Sequence, residues 1–171
     1  MSDSAQASAK LPPNVVVDEP VMAQAPLVVR RIVKFGDTDA AGVVYSGNFL
    51  DYALEAFEVW FRQVVGVTWQ QQQHDIGVGT PAVACHLEFA RPLRSGDILD
   101  IAVLIDRIGR GSYTARTVGR NEAGQEVFVG MLTFASIQFA DRKPVPLPAL
   151  YRERMTAYVA ACGGAPGMAQ A

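Results

Sequence analysis

Residues 48–65 carry the pattern that most restricts the fold. Asp51, Glu55, Glu58 and Arg62 recur at spacings of four, three and four, so they form one polar stripe along a helix. Phe49, Ala53, Leu54, Phe57, Trp60, Phe61 and Val64 fill most of the opposite side. Gly66 is a C-terminal stop, and Ser46 and Asn48 are N-cap residue types at the start. Glu58 and Arg62 can pair along the stripe, which is worth only about 0.2–0.5 kcal/mol. A helix this apolar needs a broad cover, and the chain that follows is rich in strand signals.

Four strands are predicted after the helix, at about 82–91, 97–108, 112–121 and 126–140. In the second, Leu99, Ile101, Val103 and Ile105 alternate with Asp100, Ala102, Leu104 and Asp106, a period of two with one apolar face. Hairpin-length connections lie at 109–111 (GRG) and 121–125 (NEAGQ). A further strand is predicted before the helix, over 27–35, ended by Gly36. Residues 68–74 read as a short helical turn, and Gly77, Gly79 and Pro81 as a loop. Pro144, Pro146 and Pro148 close the last strand, and 149–161 reads as a short terminal helix. The order predicts an α+β domain in which a five-stranded antiparallel sheet curls around one long helix.

The chain has 171 residues, which suits one domain with a real core. Residues 25–162 are assigned to it. Residues 1–24, rich in Ala, Ser, Pro and Gln, read as a mobile tail with a short extended piece at Val15–Val17, and 163–171 as a second frayed end. The net charge of −2 carries no basic excess of the kind that nucleic acid attracts. No apolar run is long enough to span a bilayer, so no membrane association is expected. Cys85 and Cys162 fit no metal or redox spacing and are expected as reduced thiols. No signal-peptide pattern opens the sequence, and a cytoplasmic location is the expectation. No zinc spacing and no G-x-x-x-x-G-K loop occurs, so no metal or cofactor is expected.

The chemistry concentrates in 37–49, DTDAAGVVYSGNF, between the first strand and the helix. Asp37 and Asp39 stand one residue apart, and the helix begins a few residues later. The free N–H groups of a helix start attract negative charge. With a carbonyl between them and a carboxylate, the amides can hold its oxygen while the carboxylate acts on its carbon or on a water. That arrangement suits acyl hydrolysis. Either Asp37 or Asp39 can supply that carboxylate, and the other can fix the loop. Tyr45 and Phe49 are candidates to stack on an acyl ring, and Thr80 to donate to the carboxylate or to a nearby water. Arg107 and Arg110 flank the 109–111 hairpin as candidate phosphate contacts. His86 reads as a sheet residue and His74 as exposed, so neither supplies a base.

The order of elements, FGDTDAAGVVYSGNF at 35–49, Trp69, and GVGTPAVACHLEF at 77–89 resemble the hotdog-fold acyl-CoA thioesterases, and most closely 4-hydroxybenzoyl-CoA thioesterase of the aspartate-dependent type. The likeness covers residues 28 to about 140. It implies a hotdog fold and hydrolysis of an acyl-CoA substrate, with an aromatic acyl group. Asp39 would serve as nucleophile or general base. The backbone amide at Ser46, with Gly47 beside it, would form the oxyanion hole, and basic side chains would meet the CoA phosphates. It also implies an acyl pocket built across two subunits of a homodimer or homotetramer. Where many relatives carry His this chain has Ser46, and where many carry an acid it has Leu54, with Glu55 adjacent. A hotdog hydratase would pair the Asp with a His five residues on, where Val44 stands. A non-enzymatic acyl-CoA-binding protein, and acyl carrier protein or aliphatic acyl-CoA substrates, are the alternatives.

Overall fold

A computed structural model describes residues 20–164. Its strands are β1 (Val21–Gln24), β2 (Leu27–Ile32), β3 (Val78–Gly79), β4 (Ala82–Phe89), β5 (Ile98–Ile108), β6 (Ser112–Asn121), β7 (Glu126–Ala135) and β8 (Ile137–Gln138). Its helices are α1 (Asn48–Trp60), α2 (Trp69–Gln71) and α3 (Ala149–Ala161). The main sheet is antiparallel in the order β1-β2-β5-β6-β7-β4, and β3 and β8 form a separate pair. The domain is an α+β hotdog with its sheet wrapped around one long helix.

The helix forms where its period predicts. It continues from α1 into a π turn, Phe61–Val65, and stops at Gly66. It packs against β2, β4, β5, β6 and β7. Phe57 lies at the centre of this contact: its ring stacks on Phe134 at 4.1 Å and meets Trp60, Phe61 and Tyr113. The inward face of β5, Leu99, Ile101, Val103 and Ile105, is fully buried beneath it. Gly130 of β7 permits the close approach, because a Cβ there would stand 3.6 Å from Ala53 and 2.5 Å from the Thr117 hydroxyl.

Three details differ from the sequence expectation. Val21–Gln24, assigned to the tail, pairs with β2 and adds a sixth strand at the sheet edge. It is short and only partly buried, so it carries no clear period. The first strand ends at Ile32 rather than 35, because the chain turns through a 3-10 segment, Phe35–Asp37, closed by the Lys34 amide donating to the Asp37 carboxylate (2.9 Å). The last strand divides into β7 and β8 around buried Ser136. The extended piece expected at Val15–Val17 lies outside the described residues.

The C-terminal helix completes the core beside α1. Tyr151, Met155, Tyr158 and Val159 are buried. The Tyr158 hydroxyl accepts from the Leu27 amide (2.8 Å) and donates to the Val103 carbonyl (2.5 Å), joining α3 to the β2–β5 ladder. Arg154 donates to the Val65 carbonyl at the end of the π turn.

Truncating Phe57 removes the ring around which the aromatic cluster is stacked. Phe57→Ala is expected to lower unfolding free energy by about 3–5 kcal/mol. Urea titration measures this, and a loss under about 1 kcal/mol would show that the cluster closes over the gap.

Candidate functional site

The loop between the 3-10 segment and α1 is a small hairpin. The Asp39 amide donates to the Val43 carbonyl (2.8 Å), the Tyr45 amide donates to the Asp37 carbonyl (2.9 Å), and Thr38 bridges Val44. Val44 is buried, and its amide donates to the Leu93 carbonyl (2.9 Å), which ties the hairpin to the body of the domain.

Asp39 is exposed on one arm. Its Oδ1 accepts from the Ala41 amide (2.8 Å), an Asx-type turn that orients the side chain. No protein donor meets its Oδ2 among the described residues. On the other arm Ser46 and Gly47 are exposed, and among the described residues their amides meet no acceptor. Such orphan donors are what a helix start leaves free. A Cβ at Gly47 would stand 2.7 Å from Cε1 of Tyr45, so a side chain there would displace the exposed Tyr45 ring. One short hairpin thus presents a free carboxylate oxygen and two free amides.

Asp37 anchors the loop rather than facing solvent. Its Oδ2 accepts from the Tyr52 hydroxyl (2.7 Å) and the Lys34 amide (2.9 Å), and Arg31 lies 3.9 Å away. Its carbonyl also accepts from the Asn48 side chain (2.8 Å). Burial pushes the carboxyl's pKa up, but the Tyr52 hydroxyl, the Lys34 amide and the nearby Arg31 and Lys34 charges outweigh it and hold the group below the usual carboxylate range. Burial, followed by the bond to Asp37, holds the Tyr52 hydroxyl well above the usual phenol range. Arg31 is buried, lies 3.7 Å above the Tyr52 ring and also binds Glu55.

The other predicted site residues are divided. Tyr45 is 60% exposed and belongs to the loop. Phe49 does not present a free face: its ring is buried against Tyr52, Phe89 and Phe128. Phe89 covers it at 5.3 Å and is itself 51% exposed, so the aromatic surface beside the loop is Phe89, on β4. Thr80 is turned inward and donates to Gln72 Oε1 (2.9 Å), so it is committed to the core and not to a carboxylate.

Arg107 and Arg110 are exposed at the β5–β6 hairpin. Arg110 rims a pocket of about 290 Å³ lined by Gly111, Ser136, Ile137 and Pro144–Pro146. The hairpin is fixed from behind by Arg152 donating to the Gly109 carbonyl (2.7 Å).

Asp39 and these arginines stand at opposite ends of the sheet. The loop leaves β2 where the Val33 amide meets the Asp97 carbonyl, just before β5 begins, whereas the hairpin follows the end of β5. Between the two ends runs β5, 11 residues long, whose extended length at ~3.3 Å per residue is about 33 Å. Among the described residues no cluster of three His, Cys, Asp or Glu is placed to hold a metal, and no helix is long and apolar enough to cross a membrane.

Comparison with known proteins agrees with the fold. The profile of the thioesterase-like superfamily matches residues 33–155. A 1,4-dihydroxy-2-naphthoyl-CoA hydrolase of Thermosynechococcus vestitus is 33% identical over 119 residues, covering 70% of this chain and 81% of that protein. The crystal structure of a 1,4-dihydroxy-2-naphthoyl-CoA thioesterase from Synechocystis superposes with a TM-score of 0.69 at 26% identity, covering 75% of this chain and 94% of that one. A 4-hydroxybenzoyl-CoA thioesterase mutant complexed with 4-hydroxybenzoyl-CoA superposes with the same TM-score, 0.69, at 24% identity, covering 75% and 96%, and shows the shared fold alone. The special likeness to the 4-hydroxybenzoyl type is therefore replaced by a broader one, to the superfamily, in which the Thermosynechococcus and Synechocystis naphthoyl-CoA enzymes have a higher identity than the 4-hydroxybenzoyl one.

Asp37 ionises more readily in the folded chain than in the unfolded one. Its contribution to stability is complete above the unfolded carboxylate range, about pH 4, and is lost as pH falls through the lowered folded value. Asp37→Asn is expected to be less stable than wild type near neutral pH, with the gap closing as pH falls through the lowered folded value. Urea unfolding across that range tests it, and a gap independent of pH would contradict the ionised role.

Proposed function

Because the chain belongs to the thioesterase-like superfamily, we propose that it hydrolyses an aromatic acyl-CoA thioester, with Asp39 as the reacting carboxylate. The observation that carries this reading is the free oxygen of Asp39 on one arm of the loop and the unpaired Ser46 and Gly47 amides on the other. The amides hold the thioester oxygen as charge develops on it. Asp39 either attacks the carbonyl carbon, giving a mixed anhydride that water cleaves, or takes a proton from an attacking water. By either route the C–S bond breaks, CoA leaves as the thiol and the acid carries away an oxygen from water. A well-aimed donor contributes about 10²–10³ in rate and a positioned base about 10²–10⁴.

The acyl group is held by the exposed rings of Tyr45 and Phe89. Two aromatic faces, together with the identity to 1,4-dihydroxy-2-naphthoyl-CoA hydrolases, favour a hydroxylated fused-ring acyl group over a single ring. Arg107 and Arg110 bind the CoA phosphates, with the fork geometry that suits them.

One chain cannot join Asp39 to those arginines across the length of β5, so the working unit is a homodimer. The supporting feature is β4. One edge pairs with β7 and the other is unpaired, and seven of its eight residues are exposed. Cys85, Leu87 and Phe89 lie opposite the core residues Leu132, Gly130 and Phe128, so the strand has an apolar inner face without a full cover. An exposed edge of this kind invites pairing. Antiparallel pairing of two β4 strands about a two-fold axis sets the Phe89 end of one against the Ala82 end of the other. The Ala82 end adjoins Ala135 and, through it, Ser112 and the hairpin. The hairpin of a second copy thereby approaches the Asp39 loop.

Asp39→Asn is expected to cut turnover of 1,4-dihydroxy-2-naphthoyl-CoA by about 10²–10⁴ without loss of fold, read by thiol release. Unchanged turnover would reject the catalytic assignment. A panel adding 4-hydroxybenzoyl-, hexanoyl- and palmitoyl-CoA should rank the naphthoyl thioester first, and equal rates on aliphatic chains would remove the aromatic site. Mixing refolded Asp39→Asn chains with Arg107→Ala/Arg110→Ala chains should restore about a quarter of wild-type activity, because half the dimers regain one intact site. No recovery on mixing would place carboxylate and arginines in separate sites.

A further inference from the structure

We propose that Asp37 and Tyr52 are positioning residues for the reaction, setting where the Asp39 carboxylate stands against the Ser46 and Gly47 amides; this rests on the functional reading above. Asp39 and the amides lie on opposite arms of the loop hairpin. Their separation is governed by the two backbone bonds that close it, Asp39 to Val43 and Tyr45 to Asp37. Asp37 is the base of that ladder. Its carbonyl holds the Tyr45 amide, one residue before Ser46, and the side chain of Asn48, the first residue of α1.

Its carboxylate is held in turn by Tyr52, one turn into the same helix, at 2.7 Å. The carboxylate-bearing arm is therefore fixed to the helix whose start supplies the oxyanion donors. Carboxylate and donors share one rigid reference, which is what a reaction sensitive to small displacements needs.

The clamp is supported from behind. Arg31 lies over the Tyr52 ring at 3.7 Å, stands 3.9 Å from Asp37 and binds Glu55 one turn further along α1. Tyr52 is 2% exposed, and the Phe49 ring lies against it at 5.7 Å. A buried ring that needed only to fill space would be served by Phe. The hydroxyl adds a directed bond to a charged acceptor, and that bond joins α1 to the loop beside the one from the Asn48 side chain.

The test is a cycle of Tyr52→Phe and Asp39→Asn, assayed by thiol release from the best aromatic acyl-CoA of the panel. Tyr52→Phe is expected to lower kcat about tenfold or more with KM changed less than about threefold, because binding is kept and alignment is lost. In the Asp39→Asn background the same substitution is expected to change the residual rate less than about twofold, since no carboxylate is left to align. Asp37→Asn, which keeps an acceptor, should retain more kcat than Asp37→Ala, and circular dichroism should report the native fold for both. Wild-type kcat in Tyr52→Phe beside an inactive Asp39→Asn would overturn the positioning role alone. An equal loss in both backgrounds would mark Tyr52 as merely structural. Full activity in Asp39→Asn would overturn the functional reading, and this inference with it.

Discussion

The burial of one apolar helix governs the rest of this molecule. Phe57, Trp60 and Phe61 place three large rings on a single stretch of α1, and no surface narrower than a sheet can take them from water. Five strands close on that helix, and α3 adds Tyr151 and Met155 where the sheet leaves its far end open. The cover is unequal. β5 and β6 bury their inner faces completely along most of their length, while β4, at the margin, is left with an uncovered inner face and an unpaired edge. The demand that organises the core therefore also leaves β4 exposed at the sheet margin, the surface on which the proposed dimer rests.

The site is referred to the same helix. A loop that carries a reacting group usually moves more than the elements beside it. Here the loop is short, closed by its own ladder, seated by Val44 and fastened through Asp37 to Tyr52. The cost of burying a phenol near the core is offset because its hydroxyl reaches a charged acceptor at the boundary. Arg31, buried among apolar neighbours, is tolerated for a matching reason: Asp37 and Glu55 surround its charge and the Tyr52 ring lies beneath it.

These features were unequally legible in the sequence. α1 and β5 were visible because each repeats one geometric period over many residues, and the buried sets match those periods. α3 was found within its bounds, 149–161, from prolines before it and helix-compatible residues after. β1 was not found, since four residues at an edge with little burial leave no periodic trace. At the site, the turn at Asp39 and the helix start after Ser46 and Gly47 could be read because both follow from local order: an aspartate in a turn, then cap residues before an apolar period. Phe49 and Thr80 were misread because their surroundings are set by distant residues. Only the fold brings Phe89 and Phe128 onto Phe49, and Gln72 onto Thr80. Glu55 looked like one more member of a wet stripe, and Arg31 like a strand residue; their pairing needs β2 to lie against α1.

The length of the sheet then decides how binding and chemistry are divided. Strands long enough to cover the helix carry the 109–111 hairpin to the far end from the Asp39 loop, so the carboxylate proposed to react and the arginines proposed to meet CoA phosphates lie at opposite ends of one chain. Shortening the strands would bring them nearer but would uncover Phe57 and its neighbours. In the proposed dimer a two-fold axis through β4 would resolve this without altering either end: it would reverse the sheet direction in the second copy, set the hairpin of one chain by the loop of the other, and cover Cys85, Leu87 and Phe89 in the same step. On that proposal, stability of the β4 margin and assembly of the site would be one event, and a substitution that weakens edge pairing would act on turnover even when it lies far from Asp39.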